Sequence, residues 1–160
     1  MLPHLDAAYT LARYLTGDAH DAEDIVQDAC VRALTYFDGF RGEGETSARA
    51  WLLAIVRNTA YTWRRSRRVD ALAMEFDDMV HSQAVDRPEG TRQGDAKETV
   101  DRALGRLAPE FREVIVLREL EGLSYKEISE VAGVPVGTVM SRLSRARARL
   151  QEALRAEEGR

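Results

Sequence analysis

Apolar residues recur along this chain at steps of three and four, and strand-like alternation is scarce. Leu5, Ala8, Ala12 and Leu15 share one face of a first predicted helix, which Gly17 interrupts. A second helix carries the stripe Ala22, Ile25, Val26, Ala29, Ala33, Leu34 and Phe37, with Asp21 placed as its cap and Asp24 at the capping-box position. Asp38 to Ser47 holds three glycines and is expected to be a loop. Trp51, Leu52, Ile55, Val56, Thr59 and Trp63 then face inward on a third helix that is expected to end in Arg64, Arg65, Arg67 and Arg68.

Past Arg68 the pattern weakens. Residues 70–98 hold eight acids against three bases, with Pro88, Gly90 and Gly94 and few apolar residues, and predict a flexible or loosely docked linker. Helical periodicity resumes near Glu98 with Val100, Leu104 and Leu107. Pro109 suits the first turn of the next helix, which carries Phe111, Val114, Ile115 and Arg118 and stops at Gly122. Ser124 with Glu127 forms a capping box for a short helix, Gly133 suits its left-handed end, and Pro135 opens a last helix running to about Ala156. The expected fold is all-α: a small helical domain over residues 2–68, a linker over 69–97 and a second small helical domain over 98–156. Cores of that size are marginal alone, so contact with a partner is expected to stabilise them.

The net charge is −4, but the distribution is more informative than the sum. Residues 18–28 hold Asp18, Asp21, Glu23, Asp24 and Asp28 with no Lys or Arg, whereas Val131 to Gln151 holds no acid and carries Arg142, Arg145, Arg147 and Arg149. One surface is therefore suited to phosphate and another to a basic protein face. The 160 residues contain no apolar run near the roughly 18–20 that a membrane span needs, so no membrane insertion is expected. The opening residues do not read as a secretory signal, and Cys30 is the single cysteine, which predicts a cytoplasmic setting. His4, His20 and His81 show no metal spacing with Cys30 and there is no phosphate loop, so neither a metal, a cofactor nor an enzymatic activity is expected.

The stretch Ser124 to Leu143 has the spacing of a helix-turn-helix. Ile128 and Val131 face the core, Ser129 is small where two helices approach, Gly133 turns the chain, and Val139 and Leu143 seat the second helix on the first. Between the inward positions lie Gly137, Thr138, Met140, Ser141, Ser144 and Arg145, which would face a major groove. An ordinary helical hairpin with a basic outer face would share some of this spacing. The capping box, turn glycine, proline start and acid-free second helix together favour DNA binding.

A second signal is the interleaving of Tyr36, Phe37, Phe40, Trp51, Tyr61 and Trp63 with Arg41, Arg49, Arg57 and the cluster at 64–68. Stacking aromatics among cations suit single-stranded nucleic acid. Phe37, Trp51 and Trp63 are expected in the core, and Phe40, beside glycine in a loop, is the better candidate for exposure.

Five blocks in order resemble extracytoplasmic-function sigma factors: Asp21-Ala-Glu-Asp-Ile-Val-Gln-Asp-Ala, Phe40-Arg-Gly, Ala50-Trp-Leu-Leu-Ala-Ile-Val-Arg-Asn58, Leu107 through Ile128, and Pro135-Val-Gly-Thr-Val-Met-Ser-Arg-Leu-Ser-Arg-Ala-Arg. The resemblance implies a specificity subunit that binds core RNA polymerase, at its clamp and flap, and promoter DNA, with an anti-sigma factor as a further partner. It implies that Asp21, Glu23, Asp24, Gln27 and Asp28 dock on a coiled coil of the clamp, where acidic charge suits a basic partner. It implies that Phe40, Arg41, Trp51, Arg57 and Asn58 serve the minus-ten element, with a flipped base held at Phe40 and Asn58. Thr138, Met140, Ser141, Arg142, Ser144 and Arg145 would serve the minus-thirty-five element. Three positions depart from the family pattern: the loop at 42–47 is longer and more acidic, Ala48 replaces an aromatic, and Met140 replaces a cation. A stand-alone helix-turn-helix regulator is the alternative, and it leaves the 21–37 helix and the 36–68 aromatics without a role.

Overall fold

The computed structural model describes residues 2–37, 44–77 and 95–159. Seven α-helices make up these segments, preceded by a short 3-10 turn at Leu2–His4. Helix α1 spans Leu5–Thr16 and ends at Gly17, whose φ of 79° is the left-handed conformation that glycine adopts without a Cβ penalty. Helix α2 spans Ala19–Thr35. Its cap is Asp18 rather than Asp21. Asp18 has the extended backbone an N-cap requires, and its carboxylate accepts from the amides of His20 at 2.7 Å and Asp21 at 3.0 Å. Those amide bonds hold the Asp18 carboxyl below its ordinary value.

Helix α3 runs without a break from Gly44 to Asp77. It takes in residues 44–47 of the expected loop and the first residues of the expected linker. Ala71, Leu72, Ala73, Met74 and Glu75 are strong helix formers, and extending an existing helix adds one hydrogen bond per residue without a new nucleus. The remaining loop residues, 38–43, lie outside the described residues, as do 78–94.

Helix α4 spans Asp95–Gly105 and α5 spans Pro109–Ile115. The chain then widens into a π turn at Val116–Leu120, where the Glu121 amide reaches back five residues to the Val116 carbonyl at 3.1 Å. Helix α6, Tyr125–Ala132, and helix α7, Val136–Glu158, complete the fold.

Helices α1, α2 and α3 pack on one another, and α7 packs on α4, α5 and α6. The two halves are not held apart. Helix α3 lies along α6, and α1 touches α4 and α5, so the buried residues of both halves form one contiguous core. Each small core gains from the other the apolar cover it would lack alone.

Arg112 fastens this junction. The side chain is buried, and four backbone carbonyls receive it: Nε donates to Leu104 at 2.9 Å, Nη1 to Tyr14 at 2.8 Å, and Nη2 to Gly105 at 3.3 Å and Leu107 at 2.8 Å. The Tyr14 carbonyl lies in the last turn of α1, where carbonyls lack intrahelical partners, and a planar five-donor fork reaches several acceptors at once, including Leu104, which also accepts from the Leu107 amide at 3.1 Å. Burial, with Arg64 nearby, lowers the pKa of the guanidinium. Arginine remains charged at neutral pH even so.

Candidate nucleic-acid interface

The helix-turn-helix forms through local chemistry. Ser124 Oγ accepts from the Glu127 amide at 3.1 Å, and Glu127 Oε1 accepts from the Ser124 amide at 3.0 Å. The box satisfies amides at the start of α6 that have no intrahelical partner. Gly133 takes φ 69° and donates to the Ser129 carbonyl at 2.9 Å, while the Ser129 hydroxyl donates to the Val134 carbonyl. Ile128, Val131, Val139 and Leu143 are buried, which fixes α7 against α6.

That seating decides which residues of α7 look outward. Met140, Ser141, Ser144 and Arg145 are exposed and Thr138 is half-buried at the margin. The Ser141 hydroxyl donates to the Thr138 carbonyl at 3.1 Å. The other arginines are engaged. Arg147 pairs with Glu119 at 2.8 Å, Arg149 lies over the Phe111 ring, and Arg142 turns inward to within 4.0 Å of Glu113. Arg145 has no ion-pair partner among the described residues.

On α2 the acids divide less evenly. Glu23, Asp24, Gln27 and Asp28 are exposed, and Asp21 sits lower, paired with Arg67 at 3.4 Å. Asp24 is 3.9 Å from His20, and Asp28 is 3.4 Å from Arg32. The inner face of α2 is Ala22, Ile25, Ala29 and Ala33. Val31 is 62% exposed and Leu34 66%, and their steps from Asp24, Gln27 and Asp28 place them on the same outer face. Leu34 and Phe37 were expected inside. The core ends at Ala33, and among the described residues no element covers the last turn of α2 on that side, so its apolar residues are exposed. Periodicity alone could not show this, because the apolar spacing simply continues.

The aromatic cluster is partly assembled. Trp51 and Trp63 are half-buried against the core, as expected. Phe37 is exposed and meets Trp51 edge-on, with centroids 6.3 Å apart at 74°. Asn58 is exposed on α3, and Arg57 next to it is turned to the other half of the chain. Arg57 Nε donates to Glu113 Oε2 at 2.6 Å and Nη2 to Oε1 at 3.1 Å, with the guanidinium 4.4 Å above the Tyr61 ring. Phe40 and Arg41 lie outside the described residues. Arg49, grouped by sequence patterning with the aromatic-interleaved cations, pairs instead with Glu127 of the other half at 3.0 Å.

Among the described residues, no group of His, Cys, Asp and Glu is placed to hold a metal ion, and no helix is long and apolar enough to cross a membrane.

An all-helical chain with a three-helix first half and a helix-turn-helix second half has the architecture of a transcription initiation factor of the sigma-70 class. The sigma-70 region 2 family matches residues 2–69, and the sigma-70 region 4 family matches residues 97–150. The chain is 35% identical over 153 residues to the ECF RNA polymerase sigma-E factor of Haemophilus influenzae, covering 90% of this chain and 79% of that one. It is 36% identical over 149 residues to the sigma-E factor of Escherichia coli, covering 88% and 76%. To the ECF sigma factor SigE of Mycolicibacterium smegmatis it is 34% identical over 154 residues, 94% of this chain but 58% of that relative. Among solved structures, the sigma factor RpoE of Bartonella quintana, in complex with the anti-sigma factor NepR, superposes with a TM-score of 0.75 at 32% identity, covering 96% of this chain and 93% of that one. CnrH in complex with the cytosolic domain of CnrY gives 0.67 at 30% identity, covering 97% and 84%. The chain belongs to the extracytoplasmic-function family of RNA polymerase sigma factors.

Proposed function

We propose that the chain directs promoter-specific transcription initiation by binding core RNA polymerase and promoter DNA, and that it does so without catalysing a reaction. The observation that carries this reading is the pairing, in one chain, of an outward acidic and apolar face on α2 with an outward polar face on α7 of a helix-turn-helix. The first suits a protein partner, since exposed Val31 and Leu34 supply apolar area and the acids supply steering toward a basic clamp. The second suits a major groove, which admits one helix.

Asp21, Glu23, Asp24, Gln27 and Asp28 are assigned to the polymerase contact, extended by Val31 and Leu34. Phe40, Arg41, Trp51, Arg57 and Asn58 are assigned to the minus-ten element, and Thr138, Met140, Ser141, Arg142, Ser144 and Arg145 to the minus-thirty-five element, with Arg142 at its inner margin. The domain limits of 2–68 and 98–156 follow from the same assignment. A chain working on polymerase acts in the cytoplasm. An anti-sigma protein is a further partner on this reading, supported by the complex of the Bartonella quintana sigma factor with the anti-sigma factor NepR.

The test is to add purified chain to core polymerase and a library of promoter sequences. Transcripts that start at defined sequences only when the chain is present are expected. No such transcript over the library would overturn the reading, and DNA binding without polymerase association would favour the stand-alone regulator.

A further inference from the structure

Glu113 is a fully buried carboxylate, 0% exposed, with one arginine from each half of the chain beside it. Arg57, on α3, makes the bidentate contact. Arg142, on α7 in the same half as Glu113, stands 4.0 Å from Oε1, and its buried Nη1 has no hydrogen-bond partner. A buried guanidinium nitrogen left without an acceptor is unfavourable, and buried polar groups are nearly always satisfied. Burial pushes the Glu113 carboxyl upward, and Arg57 offsets part of that shift. Losing every cation would therefore leave a charge that the interior does not tolerate.

We propose that Glu113 is a two-position latch. In the closed chain it holds Arg57 and so clasps the halves together. When the halves part, it re-pairs with Arg142, which needs to approach by only about an ångström to reach hydrogen-bond distance. The exchange keeps the carboxylate partnered in both states, which lowers the cost of opening and makes the chain bistable rather than rigidly shut. The closed state also withholds Arg57 from any other ligand. That last consequence rests on the assignment of Arg57 to promoter DNA, whereas the latch itself does not.

The latch can be tested on the full free chain, with neither DNA nor polymerase present, so its failure is separable from failure of the functional reading. Spin labels are placed at exposed Thr62 on α3 and exposed Gln151 on α7, in a Cys30→Ser background, and the distance between them is measured. The parent is expected to give one short distance. Arg57→Ala is expected to add a longer population, and Arg142→Ala to keep the parent distance, because Arg57 still holds Glu113 by two hydrogen bonds across the halves. Amide exchange over Val139 to Ala146 supplies the second readout. The Arg57→Ala/Arg142→Ala double variant is expected to exchange at least about tenfold faster than the product of the two single effects, because Glu113 then has no cation. An Arg57→Ala chain as closed as the parent, an Arg142→Ala chain as open as Arg57→Ala, or purely multiplicative exchange effects would each overturn the proposal.

Discussion

Arg49 and Glu127 meet across the two halves at 3.0 Å, and Glu127 makes this contact while its other carboxylate oxygen closes the capping box on Ser124. One side chain thus serves the local start of α6 and the docking of α3 on it. Burial acts to raise the Glu127 carboxyl, but the Ser124 amide and Arg49 outweigh it and leave the group below its ordinary value.

The two roles of Glu127 separate by substitution. Glu127→Gln keeps an acceptor for the Ser124 amide and loses the ion pair, so a loss within about 1 kcal/mol is expected, whereas Glu127→Ala also loses the cap and should cost about 1–2 kcal/mol more. Denaturant midpoints of both variants check this. Because the folded-state pKa is lowered, the contribution is present at neutral pH and fades as pH falls through that lowered value. Acid titration of the Glu127→Gln variant should show a shallower loss than the parent.

Tyr14 predicts the opposite slope at high pH. Burial, then the hydrogen bond from its hydroxyl to Asp101 at 2.7 Å, pushes its pKa up to about 12 from 10.0. The neutral phenol is the form that the folded chain favours. Stability is therefore held up to the ordinary tyrosine value and declines between about 10 and 12 as the unfolded chain releases the proton first. Tyr14→Phe should remove that part of the alkaline decline, read by thermal unfolding across this range.

Arg112→Lys is expected to destabilise the chain by about 2–4 kcal/mol although the charge is retained, because an ammonium cannot reach four carbonyls set around a planar fork. Arg112→Met should be at least as costly. A loss below about 1 kcal/mol by chemical denaturation would show that the carbonyls find water instead.

The outer face of α2 separates apolar from charged contributions. Val31→Ala and Leu34→Ala should change the stability of the free chain by no more than about 0.5 kcal/mol, since both side chains are in solvent. Both should weaken association with core polymerase at every salt concentration. Asp24→Lys and Asp28→Lys should weaken it chiefly at low salt and chiefly through the association rate. Polymerase binding kinetics over a salt series distinguish the two patterns.

Where structure is set by neighbours in sequence, the sequence showed it. Ser124, Glu127, Gly133 and Pro135 act within a few residues of one another, and each stands in its expected role. The seven helices follow from apolar spacing in the same way. What stayed hidden depended on residues far apart. Leu34 continues a helical stripe, yet it is exposed because no element among the described residues lies over it. Asp18 and Asp21 are both plausible caps, and the choice is set by where the backbone turns helical. Arg57 and Glu113 lie 56 residues apart and read as surface charges until their helices are brought together. The unbroken run of α3 through Asp77 was masked by the acidic, proline-bearing stretch that follows it.

The unbroken α3 has a consequence for its arginine cluster. On a helical rod, Arg64, Arg65, Arg67 and Arg68 fan around the axis instead of gathering at one point. Arg64 is tied to the Leu15 carbonyl at 2.8 Å, and Arg67 lies over the Trp63 ring and pairs with Asp21. Arg65 and Arg68 are left on one side, a single turn apart. Nucleic acid laid along this rod would therefore displace counterions at about two phosphates, not four.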